Sequence, residues 1–206
     1  MLEYQVLKHH LVNQEDRHQH NMNFIETYFM DDLSLCDELI DHYNSIPVEN
    51  KNKGDYNKNG KNIVDTDVKD SLDCTLDGQT DVGHKYGNHL DSCISQYIDK
   101  YPDSNTCTEW GIVEDVRMQY YAPGGGFKIF HTERASKNND RHLVFMTYLN
   151  DIDDGGGTEF KLQEIKVKAE KGKTIIWPSD CTHTHRGIVS PSKEKYIVTG
   201  WWSFIM

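Results

Sequence analysis

VRMQYYAPGGGFKIFHTE, residues 116–133, is where the chain changes texture. Two short β-rich runs, VRMQYY (116–121) and FKIFH (127–131), flank a break made of Ala, Pro and three Gly. Strand-forming runs separated by turn residues read as consecutive antiparallel β structure. The pattern continues through LVFMTYL (143–149), TEFKL (158–162), EIKVK (164–168), KTIIW (173–177) and KYIVTGWWSF (195–204). The breaks between them are SKNND, DIDDGGG, EKGK and SPSKE. A succession of about seven short strands predicts a β-sandwich or barrel core.

Upstream, the periodicity is helical. Cys36, Leu39, Ile40 and Tyr43 fall at i, i+3, i+4 and i+7, which predicts an amphipathic helix with Ser34 or Asp31 as its cap. Leu90, Cys93, Ile94, Tyr97, Ile98 and Tyr101 predict a second helix near 87–101, stopped by Pro102. That stripe reads as core. NFIETYF (23–29) reads as an entry strand. ENKNKGDYNKNGKN (49–62), with five Asn, four Lys and two Gly, leaves little to bury and predicts a solvated surface loop. Residues 1–22 are polar and carry His9, His10, His18 and His20; they read as a solvated tail. The expected class is α+β, one domain over 23–206, with helical support over about 23–110 and a β core over about 111–206.

Composition narrows the function. The chain has 206 residues, 22 Lys plus Arg and 33 Asp plus Glu, a formal charge of −11. That length suits one domain with its own core. The acidity, without a Lys/Arg stripe, argues against a phosphate-backbone partner, so no nucleic acid is expected. No apolar run approaches the ~20 residues of a membrane span, and the N-terminus lacks an apolar signal core. Five cysteines, Cys36, Cys74, Cys93, Cys107 and Cys181, form an odd set without a CxxC. This argues against a disulfide scaffold or a Cys-rich zinc site and suits a reducing cytoplasm.

Chemistry concentrates around His131-Thr132-Glu133. In an extended segment, i and i+2 share a face, so an imidazole and a carboxylate converge on one ion. Two His and one carboxylate on one face of an octahedron is the iron(II) oxygenase arrangement. With 11 His and 33 acids, roughly two His-x-acid matches arise by chance. The other match, His89/Asp91, falls in the predicted second helix, where i and i+2 point about 200° apart. A third ligand must come from elsewhere. WPSDCTHTHRGIVSPSKEKYIVTGWW (177–202) offers His183 and His185, which share a face if extended, and then Lys193 and Lys195. A cation there suits the far carboxylate of a dicarboxylate. The Gly runs at 124–126 and 155–157 permit close approach to the backbone.

In order, Tyr-x-x-Gly-Gly, His-x-acid, Tyr-Leu-Asn, Gly-Gly-x-Thr, His and Lys resemble the prolyl 4-hydroxylase-like branch of the iron(II)/2-oxoglutarate dioxygenases, over about 116–205. The resemblance implies a double-stranded β-helix (jelly roll) core with supporting N-terminal helices. It implies His131, Glu133 and His185 as iron ligands, and Lys195 on the C5 carboxylate of 2-oxoglutarate. Tyr121 and Thr158 resemble hydroxyl partners of the same cosubstrate. Dioxygen is the co-reactant, with ascorbate as auxiliary reductant, and the implied substrate is a prolyl residue in a peptide or protein, or a small molecule. Three features depart from the pattern. Glu133 stands where Asp is usual, and one extra residue separates Tyr121 from His131. Counting from Pro178 favours His183 with Lys193, whereas counting back from Gly200-Trp201 favours His185 with Lys195. Two competing readings are a zinc hydrolase using His131, His183 and His185, and a non-catalytic jelly-roll binding module.

Overall fold

Strand alternation builds this molecule. A computed structural model of the chain describes residues 23–58 and 60–205; the His-rich stretch 1–22, with His9, His10, His18 and His20, lies outside them. The elements run β1 (Glu26–Phe29), α1 (Ser34–Ser45), β2 (Asn52–Lys53), β3 (Tyr56–Lys58), β4 (Lys61–Ile63), β5 (Lys69–Asp70), β6 (Leu72–Thr75) and α2 (Asp81–Lys100). Then follow β7 (Trp110–Gly111), β8 (Arg117–Tyr121), β9 (Gly126–Phe127), β10 (Arg141–Tyr148), β11 (Thr158–Phe160) and β12 (Ile165–Val167). β13 (Lys173–Pro178), β14 (His185–Gly187) and β15 (Lys195–Phe204) complete the order.

An antiparallel sheet runs β1-β13-β10-β15-β8-β6-β2, with β7 on β15, and a smaller sheet runs β12-β11-β14. Because side chains alternate, each central strand serves two cores. Leu143 and Phe145 of β10, Val198 and Trp202 of β15, and Ile176 of β13 pack against Leu39, Tyr43, Leu90, Cys93 and Tyr97 of the two helices. Val144, Met146 and Tyr148, with Ile197, Trp201, Ile175 and Trp177, pack instead with Phe160 and Val167 of the small sheet. The fold is α+β, a jelly roll with helices on one face. Gly200 marks the tightest point of the helix-side layer: a Cβ there meets Phe145 Cζ at 2.4 Å.

Several expectations change. The region before residue 110 is more than helical support, since β1, β2 and β6 extend the large sheet. The helix expected near 87–101 begins at Asp81, capped by Thr80, whose hydroxyl accepts from Gly83 N at 3.1 Å; Gly83 and Gly87 hide this first turn from periodicity. Neither Ser34 nor Asp31 caps α1. Asp32 accepts instead from the Ser34 amide at 2.9 Å. The expected loop 49–62 folds into β2 and a β3–β4 hairpin, because ladder pairing needs only backbone groups. The expected strand FKIFH is a strand only at Gly126–Phe127; His131 is held by an isolated bridge to His185. The five cysteines are free, with Cys36, Cys74 and Cys93 buried. Among the described residues no helix is long and apolar enough to cross a membrane.

Candidate active site

Between the sheets lies a cavity of about 590 Å³. Inner-face residues line it: Arg117, Gln119 and Tyr121 of β8, Met146 of β10, and Lys195, Ile197, Thr199 and Trp201 of β15. The β3–β4 hairpin forms part of its rim through Tyr56, Lys58 and Asn62.

His131, Glu133 and His185 meet in this cavity, their ligating atoms all within 4.8 Å of one another. Glu133 Oε1 lies 3.4 Å from Nε2 of each histidine. Adjacent ligands on an octahedral ion with bonds near 2.1 Å sit about 3 Å apart, so the group fits one ion on three adjacent positions. The imidazoles are oriented from behind. His131 Nδ1 is 3.0 Å from the Ile129 carbonyl oxygen, and His185 Nδ1 is 2.9 Å from that of His183. A carbonyl only accepts, so Nδ1 carries the proton and Nε2 presents its lone pair inward. Phe127 stacks on His131 at 3.6 Å between centroids. Burial pushes the His185 pKa down, and neighbouring His131 pushes it further, favouring the neutral ring that ligates. Burial works to raise the Glu133 carboxyl, but when the rings are protonated at Nε2 as well, hydrogen bonds and charge from His131 and His185 outweigh it and hold the group well below the usual carboxylate range.

His183 is not part of this group. It sits in a short 3-10 turn, Cys181–His183, not in an extended segment beside His185. Its Nε2 lies 2.7 Å from the Asn23 carbonyl oxygen and its Nδ1 2.8 Å from Thr182 Oγ1. The three-His arrangement of a zinc hydrolase is therefore not formed.

The cavity's other end holds Lys195, which is 5% exposed. Among the described residues it has no carboxylate partner: Nζ donates to the Gly156 carbonyl at 3.2 Å and lies 4.4 Å from the Tyr121 ring centre. Burial drives its pKa down to about 8. A buried, unneutralised ammonium in a cavity wall suits an anionic guest. Gly156 adopts φ +69°, and a Cβ there would meet Ile152 at 2.6 Å, so the turn that presents this carbonyl has no room for a side chain. Lys193 is exposed on the turn outside the cavity.

Thr158 lies in the wall, and its hydroxyl is 2.7 Å from that of buried Tyr148. Tyr121 donates to Gln119 Oε1 at 2.7 Å. Gln119 in turn gives Nε2 to Asp73 at 3.0 Å, and Lys69 gives Nζ to the same carboxylate oxygen at 2.9 Å. Asp73 only accepts, which fixes the Gln119 amide and commits the Tyr121 proton to Gln119 Oε1.

Sequence reasoning included Tyr148 only as the Tyr of Tyr-Leu-Asn, without a role, and missed the Asp73–Gln119 network and Arg141, which reaches Glu133. The available signal was parity: Arg117, Gln119 and Tyr121 put polar atoms on one face of a strand whose other face is apolar.

The same stretch that builds this site matches a known family: residues 116–203 match the 2OG-Fe(II) oxygenase superfamily. Over this stretch the chain is similar to 2OG-Fe(II) oxygenases. Among solved structures, a Pseudomonas putida prolyl-4-hydroxylase is similar, with a TM-score of 0.65 at 18% identity over 89% of this chain and 94% of that one. A Trichoplax adhaerens prolyl hydroxylase, in complex with a hypoxia inducible factor oxygen degradation domain peptide fragment, gives 0.67 at 17% identity over 89% and 84%. A viral collagen prolyl hydroxylase from Paramecium Bursaria Chlorella virus-1, solved with 2OG, gives 0.60 at 18% identity over 89% and 97%. At these identities the likeness is one of fold. No curated protein matches the sequence.

Proposed function

We propose that this chain is an iron(II)- and 2-oxoglutarate-dependent dioxygenase that hydroxylates a prolyl residue in a peptide or protein, with release of succinate and CO2. One observation carries the reading: His131 Nε2, His185 Nε2 and Glu133 Oε1 converge in a cavity whose far wall holds the unneutralised Lys195. Iron(II) with 2-oxoglutarate, when bound, supplies the oxidising chemistry that activates dioxygen. The protein's own residues do the rest. His131, Glu133 and His185 would hold the metal. Lys195 takes the distal carboxylate of 2-oxoglutarate by a charge-assisted hydrogen bond, and Thr158, already paired with Tyr148, supplies a second polar contact. Met146, Ile197 and Trp177 give the cavity an apolar lining, and a wall of low polarity strengthens each of these interactions.

The substrate enters past the β3–β4 hairpin. The peptide carried by the Trichoplax protein supports a peptide class, and the rim residues Asn57, Lys58 and Asn62 offer donors and acceptors suited to backbone amides. The free thiols suit a reducing cytoplasm. The test is an anaerobic titration of metal-free protein with iron(II) and then 2-oxoglutarate. The reading expects a visible charge-transfer band that saturates at one equivalent of each. Iron binding without that band refutes the cosubstrate assignment.

A further inference from the structure

Glutamate at 133 poses a geometric problem. It reaches one methylene further than aspartate and has one more rotatable bond. Unrestrained, it can offer both oxygens to a metal or swing into the space a substrate needs.

The structure restrains it. Glu133 Oε2 accepts from Arg141 Nη1 at 3.2 Å and from Trp201 Nε1 at 3.1 Å. Only Oε1 then faces the two imidazoles. Arg141 is itself fixed on three sides. Its Nε and Nη2 donate to Glu114 at 2.7 and 2.6 Å. Its Nη1 also reaches the Glu133 carbonyl oxygen at 3.2 Å. Its guanidinium carbon lies 3.4 Å from the centre of the Trp201 ring. The register between β10 and β15 slips between Arg141 and Leu143, and such an irregularity re-aims the side chain beside it. A planar guanidinium serves two carboxylates at once because its donors form a fork, which an ammonium lacks.

We propose that Arg141 and Trp201 are positioning residues that clamp the distal oxygen of Glu133 and make this glutamate a one-oxygen metal ligand, with Glu114 holding Arg141 in place. The inference rests on the iron-site reading above. Glu114, Arg141 and Glu133 together carry one negative charge, the same as a lone carboxylate, so the clamp leaves the metal its counter-charge.

The test is a double-mutant cycle read by metal titration in the absence of 2-oxoglutarate, using cobalt(II) for its visible absorption. Arg141→Gln frees the carboxylate and is expected to weaken cobalt(II) binding roughly 10–100-fold, the usual effect of losing such a partner, and to shift the ligand-field envelope. Glu133→Asp alone is expected to weaken binding, because the shorter carboxylate cannot satisfy both clamp and metal. The double variant is expected to bind more tightly than either single one, since an unclamped aspartate reaches the metal freely. Glu114→Gln, away from the metal, is expected to shift the envelope in the same direction as Arg141→Gln. Additive losses in the double variant, or an Arg141→Gln spectrum identical to wild type, overturn the clamp. A wild-type chain that takes up no metal overturns the iron-site reading and the clamp with it.

Discussion

Replacing Lys195 with methionine tests the cosubstrate end of the cavity on two independent scales. Lys195 is 5% exposed, its amine donates to a carbonyl and pairs with no carboxylate among the described residues, and burial takes its pKa from 10.5 to about 8. At about 1.4 kcal/mol per pH unit, holding that proton at this buried position costs roughly 3 kcal/mol. The folded-state pKa lies below the unfolded one, so between pH 8 and 10.5 the unfolded chain holds a proton that the native chain lacks. The ligand-free protein therefore carries the full penalty below about pH 8 and gains stability as pH rises through that window. Lys195→Met removes the penalty. Without ligand at about pH 7 the variant is expected to melt higher, by roughly 6–12 °C for a chain of this size, and to lose the wild-type rise between pH 8 and 10.5. Its affinity for 2-oxoglutarate is expected to fall at least about tenfold, the loss of one charge-assisted hydrogen bond. In the wild type at about pH 9, binding of 2-oxoglutarate is expected to draw close to one proton from solution, because the guest's carboxylate restores the amine's charge. Calorimetry in buffers of different ionisation enthalpy reads that proton directly, and differential scanning across pH reads the stability term. Equal pH slopes for the two proteins, or undiminished 2-oxoglutarate affinity in the variant, would refute the reasoning.

Two further outcomes separate residues that look alike in sequence. His185→Ala is expected to abolish iron(II) binding, measured anaerobically, whereas His183→Ala is expected to keep it and lose about 1–2 kcal/mol of stability, because its ring joins Asn23 to Thr182; metal binding lost only in the His183 variant reverses the assignment. Tyr121 donates its proton to Gln119 and offers its ring to Lys195. Tyr121→Phe is therefore expected to hold 2-oxoglutarate affinity within about threefold, while Tyr121→Leu lowers it about tenfold through loss of the ring face. A large loss in Tyr121→Phe would show that the hydroxyl itself contacts the ligand.

Local pattern and spacing are enough to make much of this protein legible. The alternation in LVFMTYL and KYIVTGWWSF corresponds to β10 and β15, the paired strands that carry both cores. The stripe Leu90, Cys93, Tyr97 is the buried face of α2. His131 and Glu133 are close in sequence, so their convergence is readable there. The strand expected through FKIFH does not form as such, since a bridge to His185 holds the backbone at His131. Counting residues leaves two pairs open, His183 with Lys193 and His185 with Lys195, and it is the second pair whose side chains line the cavity.

Tertiary structure decides everything that depends on residues distant in the chain. Periodicity cannot report that His183 turns to Asn23, 160 residues away, or that Asp73 fixes Gln119 and so the proton of Tyr121. Nor can it report that Arg141 reaches both Glu114 and Glu133. The segment 49–62 reads as a loop because its composition has no buried face, yet backbone pairing makes part of it a hairpin at the cavity rim. Hydrophobic pattern is set by which side of an element meets the core, a local property written residue by residue. Hydrogen-bond direction, charge compensation and the orientation of a ligating atom are properties of pairs, and only the folded chain brings those pairs together.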